Sequence, residues 1–359
     1  MLVLLILSVV VALGLYPIIL VLRATGSSDL LVIGCAVATT TYRAGFILFL
    51  IFNTFFCLVT SAYLILVSVS PHLLAASPTE KQYVSAKSPT KPIPLPSLSD
   101  EASIDLSVII PAYNETERLT PMLEVTLTHL LGHPSRSYEL VIVDDGSKDA
   151  TVSLALSLAQ AHANIDIRVV KMDRNVGKGG AVRHGFLHAR GERLLMVDAD
   201  GASQFEDLEL LWKEMDAVEK CGRAVAVGSR AHMVKTEAVV KRSAVRNFLM
   251  YGFHFVLRTL GVGHIRDTQC GFKLFSRKAA QQLFPFLHLR TWVFDVELLI
   301  MAQILEIPVV EVPIAWHEVA GSKLSLISDS LGMLKDLLVL RANYALGRWS
   351  VQPKKAKAE

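Results

Sequence analysis

Two aspartates, Asp198 and Asp200, stand one residue apart at the end of the apolar run 194–197. A hard divalent cation such as Mg2+ or Mn2+ takes oxygen ligands and bridges to phosphate, and paired aspartates supply such ligands. Two further polar ends lie upstream: Asn114 and Glu115 after the run 106–110, and Asp144 and Asp145 after the run 140–143. Gly177, Gly179 and Gly180 surround Lys178 and let the backbone approach an anionic ligand closely. Carboxylates for a base, for sugar hydroxyls and for a cation, with amides for phosphate oxygens, suit a nucleotide diphosphate held with a metal. A dinucleotide-binding reading is disfavoured because no G-x-G-x-x-G follows the first strand, and a P-loop reading fails because no G-x-x-x-x-G-K-[ST] occurs.

These residues need a scaffold. From residue 105 apolar runs alternate with helical stretches, the pattern of an α/β sheet. Runs without period-two alternation read as strands buried on both faces, and ligands collect outside the carboxyl ends of such strands. Strands are expected at 106–110, 140–143, 167–171, 194–197 and 225–228, with helices at 119–131, at 150–161 and from the glycine-rich turn to 189.

Upstream the composition shifts. Hydrophobic residues make up 52% of the chain, and residues 2–22 and 44–69 carry no charge, so each can span a bilayer. The apolar stretch 30–42 is too short to span alone and stays unassigned. Residues 1–74 are thus expected as an anchor region, 75–104 as a Pro-, Ser- and Lys-rich linker, 105–349 as the catalytic domain and 350–359 as a basic tail. Lys81, Lys87 and Lys91 outnumber Arg23 and Arg43, which puts the catalytic portion on the cytosolic side. Four cysteines without a C-x-x-C pair argue against a disulfide framework or a zinc site. A net charge of +3 with no basic stripe argues against nucleic acid.

The motifs P-A-Y-N-E, V-D-D-G-S-K-D, G-K-G-G-A, D-A-D-G-A, G-S-R-A-H, R-D-T-Q-C-G-F-K-L-F and F-D-V-E-L-L follow in this order between residues 106 and 349. With them the chain resembles the family 2 glycosyltransferases of GT-A fold, and among these the dolichyl-phosphate β-glucosyltransferases. The resemblance implies a Rossmann-like, mostly parallel sheet flanked by helices, behind one or more N-terminal transmembrane helices. It also implies a UDP-glucose donor, Mg2+ or Mn2+, dolichyl phosphate as acceptor, transfer with inversion, and a site at the cytosolic face of the endoplasmic reticulum membrane. By position, Pro111, Tyr113, Glu115 and Asp144 hold the uridine, and Gly177, Lys178, Gly179 and Ala199 lie along the donor. Asp198 and Asp200, with Gln204, face metal and diphosphate, although the spacing to Gln204 is longer than in the D-A-D-x-Q of mannose-transferring relatives. The family usually has one N-terminal anchor where this chain offers two candidates, and the tail K-A-K-A-E resembles a dilysine retrieval signal.

A phosphate-monoester acceptor is already ionised near neutral pH, so no strong general base is needed. The site must instead accept charge on the leaving group and offset repulsion between two anions. Arg230, Lys241 and Arg242 suit the acceptor phosphate. Arg266, Asp267 and Lys273 close the site from the other side, Lys273 also towards the phosphate. Of Asp295 and Glu297, one positions a sugar hydroxyl, assigned to Asp295, and the other is structural. Phe248, Tyr251, Phe253 and Phe255, between Arg246 and Arg258, read as an interfacial helix for a lipid. Leu324, Ile327, Leu331, Leu334 and Leu338 repeat at helical spacing, which is expected as core packing, with a second interfacial helix as the alternative. The competing functions are a dolichyl-phosphate mannosyltransferase, a processive synthase, disfavoured because Q-x-x-R-W is absent, and a silent adaptor, disfavoured because neither aspartate nor phosphate-facing arginine is missing.

Overall fold

The computed structural model describes residues 28–73, 75–235, 265–319 and 326–351. The chain divides into two units, Met1–Val69 and Ser70–Glu359. Among the described residues of the first, helix α1 (Ser28–Val69) contains a stretch, Thr39–Val69, of 31 residues whose most apolar 18-residue window has a mean hydropathy of 2.1 and is not buried within protein. It is long and apolar enough to cross a membrane, at about 1.5 Å per residue against a bilayer of roughly 40–45 Å including headgroups. The expected span 44–69 lies inside it, and the unassigned 30–42 continues the same helix because no proline interrupts it. The candidate span 2–22 lies outside the described residues.

Among the described residues the second unit is built on nine strands: β1 (Gln82–Ser85), β2 (Ser88–Pro94), β3 (Ile104–Ala112), β4 (Tyr138–Asp144), β5 (Asp166–Lys171), β6 (Gly191–Val197), β7 (Val225–Ser229), β8 (Phe272–Ser276) and β9 (Val309–Pro313). Their spatial order is β2-β1-β5-β4-β3-β6-β8-β7-β9. The mostly parallel sheet that was expected has β5-β4-β3-β6 as its parallel core, and β8 and β1 extend it antiparallel on either side. Strand order runs outward from β3 to β5 and then returns to β6 on the other side of β3. That reversal is the switch point at which a doubly wound sheet holds its ligand.

Both faces of the core are covered, which explains its uninterrupted apolar runs. Leu106, Val108 and Ile110 of β3 pack with α2 (Leu119–Leu131), α3 (Thr151–Ala161) and α5 (Leu208–Val218) through Leu123, Ala155 and Leu211. On the other face α4 (Lys178–Leu187) lies so close that a Cβ on Gly185 would sit 2.5 Å from Ile109. The helices α6 (Arg277–Leu283), α7 (Phe294–Ile304) and α8 (Leu326–Ala345) complete the unit.

Residues 75–104, expected as a linker, instead carry the hairpin β1–β2, and β1 pairs with β5. Composition misled here for a physical reason. Pro89, Pro92 and Pro94 fall on β2, the outer strand, where a missing N–H costs no ladder bond and discourages further pairing.

Candidate active site

The carboxyl ends of β3, β4 and β6 converge at the switch point, as the parallel registers Ala112↔Asp144 and Ile109↔Met196 require. After β6, Ala199 is buried while Asp198 and Asp200 on either side are part-exposed. Space for Asp198 depends on Gly271 at the entry to β8, where a Cβ would overlap the Asp198 carboxylate.

Lys178 begins α4 and reaches back to Asp198, its Nζ 2.7 Å from Oδ1 and 2.8 Å from Oδ2. Burial works against its charge, but Asp198, then Asp295 and Asp200, outweigh burial and raise its pKa. The turn before it is held by Asp145, whose two oxygens accept the N–H groups of Val176 at 2.7 Å and Gly177 at 3.0 Å. Gly177 has φ +92°, and a Cβ there would meet Arg290 O at 2.5 Å, so this turn requires glycine. Burial pushes the Asp145 carboxyl up to about 6, against the two amides that lower it.

Asp144 is fully buried. Its Oδ2 accepts Ser147 N–H at 3.1 Å, and its Oδ1 has no partner among the described residues. The loop after β3 is clamped to the loop after β4: Asn114 N–H donates to Ser147 Oγ and Asn114 Oδ1 accepts Lys148 N–H, each at 2.8 Å. Pro111 and Tyr113 are part-exposed beside it. Glu115 is buried in a two-pronged pair with Arg118, with both nitrogen–oxygen distances 2.7 Å. Burial opposes the charge of Arg118, but Glu115 first, then the charges of Asp200 and Asp198, raise its pKa.

Asp200 is pushed up first by burial and then by the Asp198 charge, against Ala202 N–H, Lys178 and Arg118. Two carboxylates that repel one another are suited to a shared dication. Gln204 is exposed, and its backbone N–H donates to Ala315 O at 3.2 Å.

Across the site, Arg230 leaves β7 and grips Asp267 with Nε at 2.7 Å and Nη2 at 2.9 Å, its guanidinium 5.3 Å from the centre of the Trp316 ring. The Asp267 loop is fixed in turn by Glu311, which accepts Asp267 N–H at 3.0 Å and Ser229 Oγ–H at 2.6 Å. Arg242 and Lys241, and the aromatic run 246–258, lie outside the described residues, as does the tail 352–359.

Two expectations need correction. Lys273 is 1% exposed, and its Nζ donates to Asp295 Oδ1 at 2.8 Å and to Cys270 O, so it is not open to an acceptor phosphate. Asp295 is likewise buried, at 2%, and holds Lys273 in place of a sugar hydroxyl. Both side chains point inward because β8 and α7 are covered on the sides that carry them. Glu297 accepts the N–H groups of His288 and Leu289 at 3.1 and 2.7 Å. Sequence reasoning missed Arg118 and the roles of Asp145 and Asp267. The E-x-x-R spacing of Glu115 and Arg118, one helical turn, was the one signal available.

Residues 107–284 match glycosyl transferase family 2. The dolichyl-phosphate beta-glucosyltransferase of Saccharomyces cerevisiae is 45% identical over 311 residues, covering 82% of this chain and 93% of that protein. Those of Drosophila melanogaster and Homo sapiens are 47% and 44% identical, covering 73% and 76% of this chain and 82% and 85% of theirs. Among solved structures, the Mycobacterium tuberculosis glucosyl-3-phosphoglycerate synthase in complex with uridine diphosphate aligns at 18% identity with a TM-score of 0.48, over 67% of this chain and 81% of its own, too distant to inform the chemistry. Identity of this order over most of the chain, with the family's motifs gathered at one switch point, means that the chain belongs to the dolichyl-phosphate beta-glucosyltransferase family.

Proposed function

We propose that this protein transfers glucose from UDP-glucose to dolichyl phosphate with inversion, at the cytosolic face of the endoplasmic reticulum membrane. The observation that carries the reading is the gathering of Asp144, Asp198, Asp200 and Lys178 at one end of the parallel strands, opposite Arg230. The buried, unpartnered Asp144 Oδ1 suits an N–H or hydroxyl of the nucleoside. Lys178, anchored by the Asp145-held turn, supplies a cation on the diphosphate side, and Arg118 adds a second one near the aspartates. Arg230 presents a guanidinium oriented by Asp267 to the acceptor phosphate.

The residues present fit a divalent cation, because Asp198 and Asp200 offer hard oxygen donors and relieve their mutual repulsion by sharing it. Mg2+ or Mn2+ held there would stabilise charge on the departing diphosphate. The acceptor oxygen attacks the anomeric carbon opposite the diphosphate, so one displacement inverts the centre. An ionised phosphate has no proton for a base to remove. The hydrogen bonds to the two aspartates come accordingly from Lys178 and from the Ala202 amide, and among the described residues no histidine joins them. α1 supports a membrane location, and the lysines after it support the cytosolic side.

Purified protein given a panel of UDP- and GDP-sugars with dolichyl phosphate is expected to use UDP-glucose and release the β-linked product. Transfer of mannose from GDP-mannose instead would overturn the donor assignment. Asp200→Asn is expected to fold normally and lose transfer by about 100-fold or more, the scale of losing one preorganised charge-stabilising group. Unchanged rate and unchanged metal dependence in that variant would overturn the metal assignment.

A further inference from the structure

The end of helix α2 carries two histidines four residues apart, and both meet Glu209 of α5. Past Leu131 the chain still turns as a helix does: Gly132 N–H donates to Thr128 O at 3.2 Å and His133 N–H to Leu130 O at 3.0 Å. His133 therefore stands about one turn beyond His129, and the two ring centres are 4.5 Å apart. His129 Nε2 lies 3.1 Å, and His133 Nε2 3.9 Å, from the same oxygen, Glu209 Oε1. One ligand atom of each of the three side chains lies within 4.8 Å of the other two. Ligands held at about 2.0–2.1 Å around a tetrahedral Zn2+ stand roughly 3.3–3.4 Å from one another, a spacing that the observed 3.1 and 3.9 Å bracket. No cysteine takes part, which is why cysteine spacing gave no sign of this cluster.

The surroundings hold each group in a ligating form. His133 Nδ1 lies 2.9 Å from His129 O, which can only accept, so Nδ1 carries the proton and Nε2 presents a lone pair towards Glu209. A backbone carbonyl on the far nitrogen is a common outer support of a metal-binding histidine. Arg136 grips Glu209 with Nη1 at 2.7 Å from Oε1 and Nη2 at 3.0 Å from Oε2, which keeps the carboxyl ionised, at about 2. The guanidinium is fixed in turn over the Trp212 ring, 4.0 Å from its centre. Oε1 thus faces Arg136 on one side and His129 Nε2 on the other. A dication replaces the second contact, the His129 ring proton moving to Nδ1. The side chains of His129, Glu209 and His133 are 8%, 36% and 39% exposed, so one side of the cluster is open for water to complete four ligands.

Two imidazoles and one carboxylate suit Zn2+, whereas Mg2+ takes oxygen ligands alone. We propose that His129, His133 and Glu209 form a Zn2+ site, apart from the aspartate pair, that clips α2 to α5. Both helices leave loops of the candidate active site: α2 follows Glu115 and Arg118, and α5 follows Asp200 and Gln204. Phe205, at the entry to α5, sets its ring edge-on against His129 with centres 5.5 Å apart. An ion at this point braces the two loops through the helices behind them. The proposal is independent of which sugar or acceptor the enzyme uses.

The test uses the full chain in detergent, without a histidine tag and in excess Mg2+, which occupies oxygen sites and leaves imidazoles free. Zn2+ affinity is read by competition with a chromophoric chelator. His129→Gln keeps a donor for Glu209, and His133→Asn keeps one for His129 O, but neither amide replaces the imidazole lone pair. Each variant is expected to bind Zn2+ at least tenfold more weakly than the wild type and to melt with it when Zn2+ is absent. Co2+ in place of Zn2+ is expected to give the strong visible absorption of a four-coordinate site in the wild type alone. Free Zn2+ a hundredfold above its dissociation constant is expected to raise the wild-type melting temperature by about 5 °C and to leave the variants unchanged. No Zn2+ bound by the wild type, or equal binding by wild type and variants, overturns the site, the second result placing the ion at the aspartate pair or at exposed Cys57 or Cys221. Binding without a rise in melting temperature overturns the clip. The variants change the cluster from two sides, so if one melts low without Zn2+ the other decides.

Discussion

Asp145 shows how one buried side chain can hold a turn of the site in place. It spends its charge on two amides of the turn that places Lys178, and it does so buried, with its carboxyl raised to about 6. Between about 4 and about 6 the folded protein binds this proton more tightly than the unfolded chain, so the group's contribution to stability is greatest below that window and is lost as pH rises through it. The raised value, about 6 against 3.8, corresponds to a cost of about 3 kcal/mol at neutral pH. Asp145→Asn removes the ionisation, so the melting-temperature difference, wild type minus variant, is expected to shrink from pH 4 to pH 6 and then level off. A difference that is flat with pH would refute the buried-charge account. A smaller change of the same kind lies at Gly271. There a methyl group would overlap the Asp198 carboxylate, so Gly271→Ala is expected to displace the aspartate and weaken Mn2+ binding, read by electron paramagnetic resonance, at least tenfold.

The pairing of β8 with α7 is decided by Lys273 and Asp295, 1% and 2% exposed and 2.8 Å apart. Removing one partner leaves the other charged and buried, which costs about 3–5 kcal/mol, whereas replacing both by apolar groups of similar volume is close to neutral. Lys273→Met is therefore expected to lower the melting temperature sharply, and Lys273→Met with Asp295→Leu to recover most of the loss. If Lys273 served the acceptor phosphate, the single variant would keep its melting temperature and raise only the acceptor KM. The hairpin β1–β2 makes a related point about elements. Its sequence reads as linker, yet β1 finds its partner in β5, about eighty residues further on, and Glu80 is buried where its carboxylate accepts Ser77 N–H at 2.8 Å and Asp173 N–H at 3.1 Å.

Among the described residues, the apolar helix α1 is followed directly in sequence by the α/β unit, Val69 by a buried Ser70. The proposed cytosolic placement makes the turn between β1 and β2 a reporter. An N-glycosylation acceptor inserted between Ala86 and Lys87 is expected to stay unmodified when the protein is made with endoplasmic reticulum membranes, while the same acceptor in a luminal control is modified. Efficient glycosylation at the turn would reverse the orientation.

The alternation of buried strands and helices, the strand-end acids and the glycine-rich turn were legible in the chain because each is local: apolar runs, turn residues and acids follow one another within about ten residues. The strands of the parallel core and the acids at their ends follow from them, whereas α1 runs on through 30–42, which the local pattern leaves unassigned. Burial and partnership were not legible, because they depend on what covers a residue from elsewhere in the chain. Lys273 and Lys178 are both lysines in motifs that contain glycine, yet one is sealed between β8 and α7 and the other reaches Asp198. Arg230 found Asp267 across 37 residues and Asp145 found Gly177 across 32. The leucine stripe of α8 shows the same limit: its period announces a face, and only the packing of Leu337 and Leu340 on the other side settled which face is buried.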